Sequence, residues 1–332
     1  MHDRGASAAD LVLGFLTEAE GEGIAADVLG GKLDLRPAEI FHAIEALRAR
    51  GYEIESHARS GYRLVSAPER LDPADVTALL STRELGWAIH HHTQLASTND
   101  EAMGLARAGA AHGEVVVAEK QTAGRGRRGR AWSSPPRVNL YLSVILRPEL
   151  TPQRAPELVS IVAVAAAETL REFSVDAGIK WPNDLVVDGR KIAGILLDLA
   201  ADAGRIHFVV AGLGINANAS LEDFPEEVRE IATSMKLECG HGVSRAAVTA
   251  TLLGKLEAWL DRFEAEGFGP VRARYRELSS ILGKPVRLIE ADKVTEGVAT
   301  EIDEAGALLV RGADGAVHRF VSGDVVSLRP SK

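Results

Sequence analysis

Apolar residues change period several times along this chain, and each change marks a new kind of element. Near the start, Leu11, Val12, Phe15 and Leu16 recur at helical spacing. Pro37 then opens a second helix with Ile40, Phe41, Ile44 and Leu47 on one face, and Gly51 stops it. Tyr52 and Ile54, the turn Arg59-Ser60-Gly61, and Tyr62, Leu64 and Val65 follow with a period of two. Helices closed by a two-stranded ribbon predict a winged helix-turn-helix over 1–66. The stretch from Ala67-Pro68 to Pro73 opens a linker spanning 67–82.

Residues 83–280 read as a larger α+β unit. Helices are predicted at Thr98–Ala108, Pro156–Phe173, Arg245–Glu266 and Arg272–Ser279. Strands are predicted at Glu114–Ala118, Val138–Leu146, Leu185–Val187, Lys191–Leu197 and Ile206–Val210. Asp188-Gly189 joins two of them, a pair suited to the positive φ of a tight hairpin, and Ala201–Gly204 closes the next. Consecutive hairpins predict a mixed or antiparallel sheet rather than a doubly wound parallel one. From 281 to 332 the runs Pro285–Ile289, Thr295–Ile302, Ala307–Arg311, Ala316–Phe320 and Val325–Leu328 predict a small β-barrel or sandwich.

Charge sharpens this picture. The chain of 332 residues carries a net charge of −9, so it gains no general attraction to DNA or anionic lipid. Its one cysteine, Cys239, forms no internal disulfide, a polar start lacks an apolar leader, and Leu158–Ala167 is too short to span a bilayer. A cytoplasmic protein with no membrane partner is expected. Against that acidity, Lys120–Arg130 holds five basic residues and no acidic one. Gly124, Gly126 and Gly129 allow positive φ and close approach to an anion, and Arg125, Arg127, Arg128 and Arg130 supply forked donors. A solvated Arg-Gly loop touching RNA is the competing reading. The loop's brevity, and its place between a strand and Trp132, favour a small-anion cradle.

No Walker A pattern occurs. Instead, Gly124–Arg130 resembles the adenylate-binding loop of the biotin protein ligases. So do Lys180-Trp181-Pro182-Asn183-Asp184, Arg190-Lys191-Ile192-Ala193-Gly194-Ile195-Leu196 and Gly212-Leu213-Gly214-Ile215-Asn216-Ala217. With Ser97-Thr98-Asn99 and Gln121, the likeness runs in order from about 95 to 217. A helix-turn-helix before and a small, SH3-like β-barrel after resemble the bifunctional ligase and biotin-operon repressor branch.

The resemblance implies an α+β ligase with a central mixed sheet, taking biotin as substrate and ATP with Mg²⁺. It would form biotinyl-5′-AMP and pass biotin to a lysine of the biotin carboxyl carrier protein of acetyl-CoA carboxylase. It implies biotin contacts from Ser97, Thr98, Asn99, Gln121, Arg125, Gly126, Arg127 and Lys191. It implies adenylate contacts from Gly124, Arg125, Arg127, Arg130, Trp132, Lys180, Asn183, Asp184 and Asn216. Lys191, Arg125 and Arg127 would be the catalytic charges. It also implies a homodimer formed when adenylate orders the loops.

Each residue keeps a plainer reading. Ser97 with Asp100 fits a capping box, Trp132 would pack in a core as readily as stack on adenine, and Lys191 would snorkel from its hairpin end. Asp184 would orient a Mg²⁺ shell or cap a turn, so no metal site is fixed. Gly212–Ala217 satisfies a dinucleotide fingerprint, but hairpins precede it and Pro225, not a helical run, follows. His90-His91-His92 cannot face one ion from a strand.

Two features depart from the family. Residues 1–70 hold eight basic and twelve acidic side chains, leaving Arg36, His42, Arg59 and Arg63 as candidate contacts to operator DNA. Residues 220–241 carry no tryptophan to cover adenine, leaving Phe224 or Met235. A ligase with a vestigial head, a ligand-sensing DNA-binding regulator without ligase activity, and a lipoate-type transferase are the alternatives.

Overall fold

The computed structural model describes residues 7–19, 21–49, 52–57, 60–66, 71–290 and 293–327. Three helices, α1 (Ala8–Glu18), α2 (Ala26–Leu33) and α3 (Pro37–Ala49), precede the antiparallel ribbon of β1 (Glu53–His57) and β2 (Gly61–Ser66). Val12, Leu13, Leu16, Leu29, Ile40, Ile44 and Leu47 form their own buried cluster. Phe41 does not share that face and is 52% exposed, because one step along a helix turns about 100° from Ile40. The sequence pattern offers no separate α2, since Gly30-Gly31 interrupts it with poor helix formers. Gly30 is required there: a Cβ would lie 2.8 Å from the Leu35 carbonyl oxygen.

From Leu71 the chain is packed rather than a plain linker; 67–70 lie outside the described residues. Asp72 caps α4 (Pro73–Leu79) by accepting from Ala74 N–H, and Leu71 and Val76 enter the main core. Leu79 touches both cores, and the buried Tyr52 hydroxyl donates to Asp75 at 2.7 Å. The helical head is thus seated on α4.

The main sheet comprises β3 (Ile89–His92), β4 (Val115–Ala118), β5 (Leu140–Leu146), β6 (Gly178–Lys180), β7 (Asp184–Val187), β8 (Arg190–Ala201) and β9 (Ile206–Ile215). Their order is β3-β4-β5-β9-β8-β7-β6, with β3–β4 parallel and every other pair antiparallel, so the sheet is mixed as expected. Asp188 and Gly189, at φ 49° and 82°, make the tight β7–β8 turn. α5 (Thr98–Arg107) packs on one face through Ala102, Met103 and Ala106 against Val116, Ile145 and Val210. α6 (Ala155–Glu172), α8 (Arg245–Glu266) and α9 (Phe268–Leu278) join the core on the opposite face, with short α7 (Met235–Cys239) beside them.

The C-terminal sheet runs β13-β12-β11-β10-β14, all antiparallel: β10 (Pro285–Glu290), β11 (Lys293–Ile302), β12 (Leu308–Gly312), β13 (Val317–Phe320) and β14 (Asp324–Ser327). Val286, Leu288, Leu308 and Val325 belong to the same buried cluster as the main sheet. That shared core fixes the β13–β14 turn over the basic loop. No helix among the described residues is long and apolar enough to cross a membrane.

Candidate active site

The site lies where α5 starts, against β5, β8 and β9. Ser97, Thr98 and Asn99 are all buried there. Thr98 N–H donates to Gln121 Oε1 at 2.8 Å, and Gln121 Nε2 donates to Ser134 Oγ at 3.2 Å. Asn99 Nδ2 donates to Asp198 at 2.8 Å and to Leu196 O at 3.2 Å, while Ser143 Oγ donates to Asn99 Oδ1 at 2.6 Å. A Cβ at Gly212 would sit 1.9 Å from Asn99 Oδ1. Gly212→Ala is therefore expected to displace the Asn99 side chain from this network, shifting its amide resonances by NMR, while far-ultraviolet dichroism stays that of the parent.

The capping box expected at Ser97 is half made. Ser97 Oγ accepts from Asp100 N–H, but the Asp100 carboxylate turns to Arg125 at 2.6 Å. Ser143, fully buried on β5, is a site residue that the sequence reading misses; its signal is a single serine in the otherwise apolar and aromatic run Leu140–Leu146.

The basic loop closes on itself. Gly126 N–H donates to Arg130 O at 2.7 Å, and Arg128 and Gly129 take φ 56° and 72°. Gly129 alone of its three glycines uses positive φ; Gly124 is needed because a Cβ would meet Trp132 O at 2.8 Å. The loop's charges are held by carboxylates. Arg125 pairs with Asp100 and, at 3.1 Å, Asp198. Arg128 reaches Asp324 at 3.1 Å, and Arg130 shares that carboxylate. Arg127 instead donates to Asn183 Oδ1 at 3.2 Å and Gly323 O at 3.4 Å. Burial lowers its pKa from the usual guanidinium value, partly opposed by Asp324. Arg127 makes no ion pair among the described residues, so it can meet an anion without displacing a carboxylate.

The Lys191 ammonium pairs with Asp184 Oδ1 at 2.6 Å and remains one-third exposed. Lys180 lies opposite Asp184 in the β6–β7 ladder, and Asn183 Nδ2 donates to Ile195 O at 2.6 Å. Gly194 and Gly214 are cross-strand partners forming a flat shelf. The Trp132 indole rests on it; a Cβ would approach the ring to 3.0 Å from Gly194 and 2.4 Å from Gly214. Lys191 Nζ stands 5.2 Å from the ring centre.

Asn216 is placed differently from the expected nucleotide contact. It is buried, and its amide donates to Thr233 O at 2.9 Å, strapping the loop after β9. Phe224 and Met235 are both buried in cores, so neither side chain stands over the site. Gly212 and Gly214 lie within a strand of an antiparallel ladder rather than in a strand-to-helix turn. His90, His91 and His92 face three different carboxylates, those of Glu114, Glu119 and Glu101.

In the head, Arg36 bonds Glu39 and Arg63 bonds Glu55, while His42 stacks edge-on to Phe41 at 5.9 Å; Arg59 lies outside the described residues. Among the described residues, no hydrogen bond or ion pair joins Arg36, His42 and Arg63 to one another.

A glycine shelf, a buried amide and hydroxyl network and a cationic loop thus meet at the start of α5 on the mixed sheet. Comparison with known proteins specifies this site further. The biotin/lipoate A/B protein ligase family model matches residues 93–216, and the biotin protein ligase C-terminal domain model matches 281–327. The bifunctional ligase/repressor BirA of Bacillus subtilis is 34% identical over 310 residues, 93% of this chain and 95% of that protein. The biotin–[acetyl-CoA-carboxylase] ligase of Mycobacterium tuberculosis is 35% identical over 244 residues, 71% of this chain and 87% of that one. The biotin protein ligase of Aquifex aeolicus, solved with biotin and ATP, superposes with a TM-score of 0.63 at 26% identity, over 73% of this chain and 99% of that one. This chain belongs to the biotin protein ligase family.

Proposed function

We propose that the protein is a biotin–[acetyl-CoA-carboxylase] ligase, and the observation that carries this is the ring of cations around the glycine shelf. A carboxylate oxygen of biotin attacks the α-phosphorus of ATP, and pyrophosphate leaves to give biotinyl-5′-AMP. A lysine amine of the biotin carboxyl carrier protein then attacks the acyl carbon. It loses a proton as AMP departs with the former carboxylate oxygen. Charge builds on phosphate in both steps, so positioned cations supply most of the rate.

Ser97, Thr98, Asn99 and Gln121 hold the ureido ring, with Ser143 fixing the Asn99 amide. Arg125, Arg127 and Lys191, with the Gly124-Gly126 backbone, take the carboxylate and phosphate. Lys180, Arg130 and Asn183 flank the phosphates, and Trp132 offers the face turned from the shelf to adenine. Asn216 acts through the loop it straps. Arg125, Arg130 and Lys191 would exchange a protein carboxylate for a ligand oxygen, which offsets their charge before substrate arrives.

Magnesium enters with ATP. Asp184 fits it as a single carboxylate, since the ion takes few protein ligands and fills the rest with phosphate oxygens and water. It would screen the phosphates there.

Likeness along nearly the whole length to bifunctional relatives supports a repressor role, with 1–66 as a winged helix-turn-helix on operator DNA. The same likeness supports an SH3-like barrel at 281–332, a dimer formed with adenylate, and a cytoplasmic setting. One observation favours the narrower reading of a ligase with a weak head: Arg36 and Arg63 are already tied to glutamates. Mixing the protein with biotin, ATP, magnesium and a carrier domain tests the catalytic reading; mass spectrometry should find biotin on one carrier lysine, and an unmodified carrier refutes it. A gel shift with and without biotin and ATP separates repressor from vestigial head.

A further inference from the structure

Asp198 joins the two halves of the site through a single atom. Its Oδ2 accepts from Asn99 Nδ2 at 2.8 Å and from Arg125 Nη2 at 3.1 Å. One oxygen thus holds both the amide at the start of α5 and the first arginine of the basic loop. A carboxylate has two oxygens and about four places for donors. Among the described residues, Oδ1 has no hydrogen-bond or ion-pair partner, and the side chain keeps 25% of its surface exposed. A ligand that covers Oδ1 takes it out of water and has to offer a donor in return, because a carboxylate oxygen buried without one is costly.

Position along β8 indicates which part of a ligand meets this oxygen. Gly194, Leu196 and Asp198 alternate along the strand and share a face; their ladder partners on β9 are Gly214, Gly212 and Val210. Lys191 marks one end of that face, since its Nζ would lie 3.2 Å from a Cβ at Gly194. Asp198 marks the other end, about 13 Å further along the strand. Val210, its partner, belongs to the cluster packed under α5. A ligand lying on this face has its anionic end drawn to Lys191, which turns its neutral ring toward Asp198. We propose that Asp198 Oδ1 accepts an N–H of the bound ring, and so selects a cyclic urea such as biotin's over a ring without donors, such as the dithiolane of lipoate. Arg125, on the other oxygen, balances the charge. This rests on the ligase reading above and adds a residue to the ring contacts given there.

The test sets the wild-type protein and Asp198→Asn against biotin and its two cyclic carbamates, with affinities read by calorimetry without ATP. Each carbamate carries a ring oxygen in place of one ureido N–H. Asp198→Asn keeps the shape of the side chain, but an amide oxygen can serve either the ring or Asn99 and Arg125, not both sides. The variant should bind biotin about tenfold or more weakly, the size expected of one hydrogen bond to a charged group. In the wild-type protein, the carbamate whose oxygen faces Asp198 should bind about tenfold or more weakly than biotin, because a site built around a donor rejects the analogue lacking it. In Asp198→Asn the gap between that carbamate and biotin should shrink to about twofold or less. A gap of the same size in both proteins would leave Asp198 as a brace for Asn99 and Arg125 alone and overturn the proposal. Should Asp198→Asn not fold, the wild-type protein carries the test: both carbamates binding as tightly as biotin would overturn it equally. Absence of biotin binding by the wild-type protein would instead remove the ligase reading, a separate failure.

Discussion

Replacing Lys191 by alanine is expected to lower biotin-dependent pyrophosphate exchange by about a hundredfold or more, the scale on which a single charge-stabilising group acts in a water-poor site. The reason lies in the pair it makes. Lys191 enters β8 at the hairpin end and holds Asp184 at 2.6 Å. In the role proposed for it, its removal takes away a cation for the phosphate and leaves the Asp184 carboxylate without its lysine. The loss should appear in turnover more than in the Michaelis constant for biotin, whose ring contacts we place at Thr98 and Asn99. Lys191→Arg should recover only part of the activity, because a planar fork replaces a compact ammonium. Wild-type exchange in Lys191→Ala would remove Lys191 from the chemistry.

Glu119→Ala is expected to destabilise the fold by about 3–5 kcal/mol, the cost of leaving a buried charge without its partner. Glu119 and Arg245 are each 4% exposed and meet at 2.8 Å. The other Glu119 oxygen accepts Leu71 N–H at 2.6 Å, pinning the chain just before α4. Glu119 also stands two residues before Gln121, so the same change should loosen the ureido contacts. The paired replacement Glu119→Leu with Arg245→Met removes both charges and should cost less than Glu119→Ala alone. Urea midpoints for the three proteins measure this. A double variant no more stable than the single one would show that the pair does not carry the cost.

Much of the fold was legible because local chemistry and tertiary packing agree. The helix predicted at Arg245–Glu266 has those bounds, since Ser244 caps it and Gly267 ends it. Asp188-Gly189 announced the β7–β8 hairpin through the positive φ that it adopts. Where the reading missed, short or interrupted elements were the cause. α2 contains Gly30-Gly31, and α4 has only seven residues between loop segments. Such helices exist because Leu29 and Val76 are buried by distant parts of the chain, which periodicity does not register.

At the site, motifs gave the residues but not their partners. Thr98 meets Gln121 beside the buried Ser97 and Asn99, and Lys191 pairs with the carboxylate of Asp184. Asp198 and Asp324 went unnoticed because they approach Arg125 and Arg130 from 73 and 194 positions away. Backbone freedom is the reading for Gly124, Gly126 and Gly129, whereas Gly194, Gly212 and Gly214 serve by having no side chain against Trp132 and Asn99. Asn216 carried the right motif position, yet burial turned its amide toward the backbone.

The central claim is that this arrangement activates biotin as an adenylate. Exchange of labelled pyrophosphate into ATP by the purified, folded chain tests it most directly. The account predicts exchange that requires biotin and magnesium, and that falls away in Lys191→Ala. No exchange from folded protein, or exchange indifferent to biotin, would contradict it.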